Sequence, residues 1–156
     1  MKSNLHSRFE KLVEEQKTTI YSVCYMYAET KAEADDLFQD VLINLWKGLE
    51  SFRGDSSERS WVYRVSLNAC ISEKRKKRVK TVPLDISADL FSDKSPEGKQ
   101  NMMLHDRITK LEKFDRAIVL LWLEDMSYDE IGAITGLSAK AVGVRLVRIK
   151  EKLKNL

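Results

Sequence analysis

Proline and glycine are scarce in this 156-residue sequence, at two and six residues respectively. Long segments are therefore free of the residues that interrupt helices. No run approaches the roughly 18 apolar residues that a membrane helix needs, so no membrane contact of its own is expected. The first twelve residues, MKSNLHSRFEKL, lack the apolar core of a secretory signal, and a cytoplasmic location is expected. Cysteine is limited to Cys24 and Cys70, each inside an apolar helical pattern. Buried reduced thiols are the expectation, and neither a disulfide nor a metal site. His6 and His105 have no ligand-like neighbourhood, and there is no glycine-rich loop of the kind that cradles phosphate. No catalytic residue, metal or cofactor is expected from this inventory.

A strong charge of one sign is also missing, since 27 lysines and arginines face 24 aspartates and glutamates for a net charge of +3. The charges that are there lie in blocks. Glu29, Glu33, Asp35, Asp36 and Asp40 cluster against Lys31 alone. Lys74, Arg75, Lys76, Lys77, Arg78 and Lys80 form a run with no acid among them, and Lys140, Arg145, Arg148, Lys150, Lys152 and Lys154 load the last segment. One acidic and two basic surfaces imply more than one kind of partner.

What dominates is helical periodicity. Phe9, Leu12, Val13, Ile20, Val23, Cys24 and Tyr27 mark one face of a long first helix. A second helix is predicted from about Ala32 to Leu49, striped by Leu37, Val41, Leu45 and Leu49. Residues 51–59, SFRGDSSER, read as a structured loop. A third helix is predicted to begin near Ser60 and continue into the basic run, with Trp61, Val65 and Asn68 or Ala69 on its inner side. From about Val79 to Asn101 both prolines and many polar residues give linker composition. Periodicity then returns at Met102 and runs to the end. The fold class is all-α, two small helical domains on a flexible linker.

The sharpest local pattern is SYDEIGAITGLSAKAVGVRLVR, residues 127–148. Ser127 and Glu130 have capping-box spacing, Ile131 and Ile134 are expected to face inward, and Gly132 is small as a close helix crossing requires. Gly136 suits a left-handed helix end. Ser138 can cap a second helix that buries Val142, Leu146, Ile149 and Leu153. This is a helix-turn-helix pattern, whose second helix reads the major groove with its N-terminal part. The groove-facing candidates are Ser138, Ala139, Lys140, Gly143, Val144, Arg145 and Arg148.

The first half carries a second pattern: ADDLFQDVLINLWKGL at 34–49, then Ser51–Phe52–Arg53–Gly54–Asp55, then Trp61–Val62–Tyr63–Arg64–Val65 with Asn68. These linked segments resemble region two of the group-four, extracytoplasmic-function members of the sigma-70 family, and the C-terminal pattern resembles their region four. The resemblance implies a sigma factor that binds core RNA polymerase, recognises the −35 and −10 promoter elements and promotes strand opening. It divides the chain into 1–80 as region two, 81–101 as linker and 102–156 as region four. It assigns Asp36, Gln39, Asp40, Leu42 and Trp46 to the clamp coiled coil of the largest polymerase subunit, and gives region four the flap of the second-largest subunit. Phe52, Arg53, Asp55, Trp61, Arg64 and Asn68 fall to the −10 element, and Lys74, Arg75, Lys76, Lys77 and Arg78 to backbone phosphate. Ser138, Ala139, Lys140, Gly143, Arg145 and Arg148 fall to the −35 element. The family commonly has lysine and serine where this chain has Gly143 and Val144. An anti-sigma factor is implied as a further partner. Two other classes remain: a dimeric helix-turn-helix regulator, and a nucleic-acid-processing enzyme using Asp35, Asp36 and Asp40 with magnesium.

Overall fold

The computed structural model describes residues 2–54, 56–72 and 104–155. The chain divides into two units, 1–81 and 82–156. Every regular element among the described residues is a helix.

The first unit holds α1 (Lys2–Tyr27), α2 (Lys31–Leu49) and α3 (Glu58–Ile71). Thr30 starts α2: its side chain accepts a hydrogen bond from the Glu33 amide at 3.1 Å, satisfying one of the donors a helix start leaves open. Ser57 does the same for α3 through the Ser60 amide. Each helix turns one apolar stripe inward. Leu12, Ile20, Val23, Cys24 and Tyr27 of α1 meet Leu37, Val41, Leu45 and Leu49 of α2, all buried. Phe9 and Val13, expected on the same stripe, are only half-buried. Both cysteines are buried and neither is in a disulfide.

The α3 stripe differs from the expected one. Val62, Tyr63, Ser66, Leu67 and Cys70 are buried, whereas Trp61, Val65 and Ala69 are half-buried and Asn68 is exposed. Both sets have helical spacing, and the buried one maximises contact with α1 and α2. Ser66 is tolerated inside because its hydroxyl donates to the Val62 carbonyl at 2.8 Å. The helix ends at Ile71, and Ser72 leaves it at ψ 125°. The α3 helix itself therefore does not make the expected continuation into the basic run. Lys74, Arg75, Lys76, Lys77, Arg78 and the expected linker lie outside the described residues.

The second unit contains a helical segment at 104–109, then α4 (Lys113–Leu123), α5 (Tyr128–Thr135) and α6 (Ala139–Lys154). Ile108, Ile118, Leu121, Ile131, Val142, Leu146 and Ile149 form its core. Ile134 and Leu153, expected inside, are half-buried. The capping box at α5 is complete: Ser127 Oγ accepts from the Glu130 amide at 3.1 Å, and the Ser127 amide donates to Glu130 Oε1 at 3.2 Å. Gly136 closes the helix at φ +85°, and Ser138 caps α6 by accepting from the Ala141 amide at 3.1 Å. Gly132 serves the turn and not a helix crossing. A Cβ there would lie 2.4 Å from the Leu137 carbonyl oxygen.

Candidate partner and nucleic-acid surfaces

On α2, Asp36, Gln39, Asp40, Ile43 and Trp46 follow at intervals of three and four, which aligns them on one outward face. Trp46 is 44% exposed and Ile43 51%. Trp46 is steadied by α1, with the Phe9 ring edge-on at 5.3 Å and the His6 ring at 6.3 Å. Leu42, named with this face from the sequence, is half-buried. Ile43 joins the face as an exposed aliphatic group that the uninterrupted VLI run did not single out. Asp36 and Asp40, like Leu42, are half-buried. The neighbouring Asp35 is tied to α1 by a hydrogen bond from the Tyr21 hydroxyl. Burial first, and then the adjoining Asp35 carboxylate, push that phenol well above its ordinary range. Tyr21 also packs on Tyr25 at 4.8 Å and Phe38 at 5.1 Å.

Behind α2, the loop turns at Gly54 with φ +79°. Phe52 folds back onto Trp61, their rings stacked at 4.6 Å and 14°. Gly48 makes room for that stack, since a Cβ there would come within 3.2 Å of Trp61 Cζ2. Phe52 and Trp61 thus face each other and do not form the two walls of an open slot. Trp61, Arg64 and Asn68, spaced by three and four, share one side of α3, with Arg64 and Asn68 exposed. Asn68 extends this outward row and does not interrupt an inward one. Arg53 is exposed in the loop, and Asp55 lies outside the described residues.

In the helix-turn-helix, the outward side of α6 carries Lys140, Val144, Val147 and Arg148, all exposed. Ser138 is exposed but engaged as the cap, and Ala139 is half-buried. Gly143 lies at the edge of this outward side, where a Cβ would meet the Tyr128 ring at 3.2 Å. Arg145 turns back. Its Nε donates to Asp115 Oδ1 at 2.9 Å, and its guanidinium lies 4.8 Å over the Phe114 ring. Lys152 Nζ approaches Asp115 Oδ2 at 3.5 Å. Asp115 is 4% exposed, a buried carboxylate held by two cations as burial requires. An open cleft of about 600 Å³ runs along this helix, lined among others by Asp115, Leu137, Lys140, Val144 and Arg148. In this unit, Asp115 and Val147 are residues that sequence reading did not single out. The aspartate had a visible signal, a lone acid inside the apolar run KFDRAIVLLWL.

Among the described residues, no cluster of three or more His, Cys, Asp or Glu side chains is placed to hold a metal ion. No helix there is long and apolar enough to cross a membrane.

Known proteins align with both units. A family model described as Sigma-70 region 2 matches residues 12–79, and one described as Sigma-70, region 4 matches residues 101–153. The ECF RNA polymerase sigma factor SigW of Bacillus subtilis is 28% identical over 162 residues, covering 94% of this chain and 87% of that protein. The ECF RNA polymerase sigma-E factor of Escherichia coli K12 is 27% identical over 164 residues, covering 94% and 85%. Among solved structures, the sigma factor RpoE in complex with the anti-sigma factor NepR from Bartonella quintana superposes with a TM-score of 0.72 at 18% identity, covering 95% of each chain. CnrH in complex with the cytosolic domain of CnrY gives 0.67 at 24% identity, covering 96% of this chain and 87% of that one. These likenesses carry the same helical fold.

Proposed function

Because this chain belongs to the sigma-70 family, among its extracytoplasmic-function RNA polymerase sigma factors, we propose that its two units divide promoter recognition between them. Residues 1–80 dock on core polymerase and capture the −10 element. Residues 81–101 link them to 102–156, which read the −35 element and meet the flap of the second-largest subunit.

The observation that carries this reading is the outer face of α2. Ile43 and Trp46 stand exposed among Asp36, Gln39 and Asp40. Apolar anchors ringed by carboxylates suit a helix-to-helix interface, where charge steers the encounter and the anchors hold it. Its partner in this proposal is the clamp coiled coil of the largest subunit.

For the −10 element, Arg53, Arg64 and Asn68 supply hydrogen bonds at the edge of the Phe52–Trp61 stack. An extruded base stacks on the outer side of that pair, because the two rings already fill the space between them. Such stacking is worth about 1–3 kcal/mol per base, of the order needed to offset unstacking. Asp55 and the run Lys74–Arg78 complete the surface, the run gripping phosphate without reading sequence. In the second unit Lys140 and Arg148 contact the upstream duplex.

The chain works as an initiation factor and leaves the chemistry to polymerase, in the cytoplasm where polymerase acts. The structural likeness to a sigma factor bound to an anti-sigma factor supports a protein of that kind as the regulator of this chain, covering the α2 face when transcription is off.

Co-elution with purified core RNA polymerase on a sizing column tests the assignment. Wild type is expected to form a stable complex that Ile43→Glu, or Asp40→Arg with Trp46→Ala, abolishes. A folded wild type that fails to associate overturns it and leaves an ordinary helix-turn-helix regulator.

A further inference from the structure

Two valines occupy the outward side of α6. Val144 is 50% exposed and Val147 63%, and a spacing of three puts them side by side on the helix surface. Neither serves the core, which Val142, Leu146 and Ile149 fill from the other side. Nor does helix formation favour them, since a β-branched side chain loses rotamer freedom against the preceding turn. Lys140 and Arg148 flank them, both exposed, so cations suited to phosphate border an apolar centre.

One arginine of this helix points back to α4, and the glycine beside the valines carries no side-chain donor. Arg145 is committed to Asp115 and Phe114, and Gly143 faces Tyr128. Methyl groups therefore face the groove where donors would otherwise stand. In the major groove the one apolar feature of a base pair is the thymine 5-methyl group. Resting on the reading of α6 as the −35 helix, we infer that Val144 and Val147 set promoter specificity by packing against thymine methyls of T·A pairs. Side chains three apart on a helix are separated by about 5–6 Å at Cβ, against about 3.4 Å between successive base pairs. The two thymines thus belong to pairs one or two steps apart. Cytosine is rejected because its amino donor faces valine and loses its water without gaining an acceptor.

The test uses full-length protein with core polymerase and promoter duplexes randomised across the upstream region, followed by thymine-to-uracil replacement in the best duplex. Selection is expected to enrich T·A pairs at two nearby positions. Uracil, which removes only the methyl, is expected to weaken wild-type binding about fourfold at each position, the equivalent of about 0.8 kcal/mol for one buried carbon group. Val144→Ala is expected to become indifferent to uracil at one position and Val147→Ala at the other. Both sites are exposed, so folding is retained, as a thermal melt of each variant shows. Protection of the upstream duplex with indifference to uracil in wild type overturns this inference while leaving the −35 reading intact. Absence of upstream protection overturns both.

Discussion

Arg145 and Asp115 are thirty residues apart in the chain and 2.9 Å apart in space. The pair joins α6 to α4, so the second helix of the helix-turn-helix is pinned from behind by one of its own arginines. With Lys152 on the other carboxylate oxygen, the pair fixes the rotation of α6 about its axis. That rotation decides which side chains face out.

Asp115→Asn removes the charge that both cations share. The Arg145 side chain is 40% exposed and regains some water, so the expected loss is about 1–2 kcal/mol and not the 3–5 of a fully buried pair. A thermal melt of the full chain is expected to show a lower transition for the second unit. Upstream promoter affinity is expected to fall further than the melt explains, because a loosened α6 misdirects Lys140 and Arg148. Unchanged affinity in Asp115→Asn would show that the pair has no positioning role.

Two glycines of the helix-turn-helix are expected to respond in opposite directions to alanine. At Gly132 the new Cβ meets backbone at 2.4 Å, which cannot yield without opening the turn. A loss of about 1–3 kcal/mol or more is expected. At Gly143 the neighbour is the Tyr128 ring at 3.2 Å, and that residue is 42% exposed and free to shift. Alanine's better helix propensity, about 1 kcal/mol over glycine, is then expected to dominate and raise the melting temperature.

Gly48→Ala presses on Trp61 at 3.2 Å and thereby on the Phe52 stack. Core-polymerase binding through the outer face of α2 is expected to be retained. Permanganate reactivity of unpaired thymines in the −10 region is expected to fall several-fold. Loss of both together would mean that the substitution damages α2 as a whole.

Tyr21 gives the first unit an alkaline limit. Its phenol is raised in the folded state above the ordinary 10.0 by burial and Asp35, so as pH rises past 10 the folded chain still holds a proton that the unfolded chain has lost. Stability from this group is complete below about pH 10 and declines as pH rises beyond it. Tyr21→Phe is expected to be less stable at neutral pH, having lost the hydrogen bond, and to show a shallower fall above pH 10 in denaturant melts. Parallel curves for the two proteins would contradict the linkage.

Lys140→Ala and Arg148→Ala are each expected to weaken upstream binding for every sequence and to reduce the slope of log affinity against log salt by about one. A change confined to particular base pairs would instead identify the residue as a base reader.

Local chemistry made much of this legible in the sequence. The α2 stripe, the capping box of Ser127 and Glu130, the left-handed Gly136 and the Ser138 cap all depend on neighbours within a turn or two, so spacing alone announces them. The all-helical class follows from long periodic segments with few breakers. Rotation about the helix axes was not legible to the same degree. In α3, WVYRVSLNAC supports two apolar stripes of equal period, and packing against α1 and α2 selected the one through Val62, Leu67 and Cys70. In α2 packing left Ile43 exposed, which the uninterrupted VLI run did not announce. Gly132 was legible as a position that tolerates no side chain, but the group it makes room for is a carbonyl five residues on.

Spacing along the chain was enough to announce the all-helical class, the starts of α5 and α6 at their serine caps, and the sorting of charge into separate acidic and basic blocks. Those properties arise from contacts along the chain. Packing between helices settled that Arg145 pairs with Asp115, that Phe52 and Trp61 face each other, and that two valines stand on the outward face of α6. Such assignments depend on which of several locally equivalent rotations buries the most surface and satisfies a distant buried charge, and no window of sequence contains both partners.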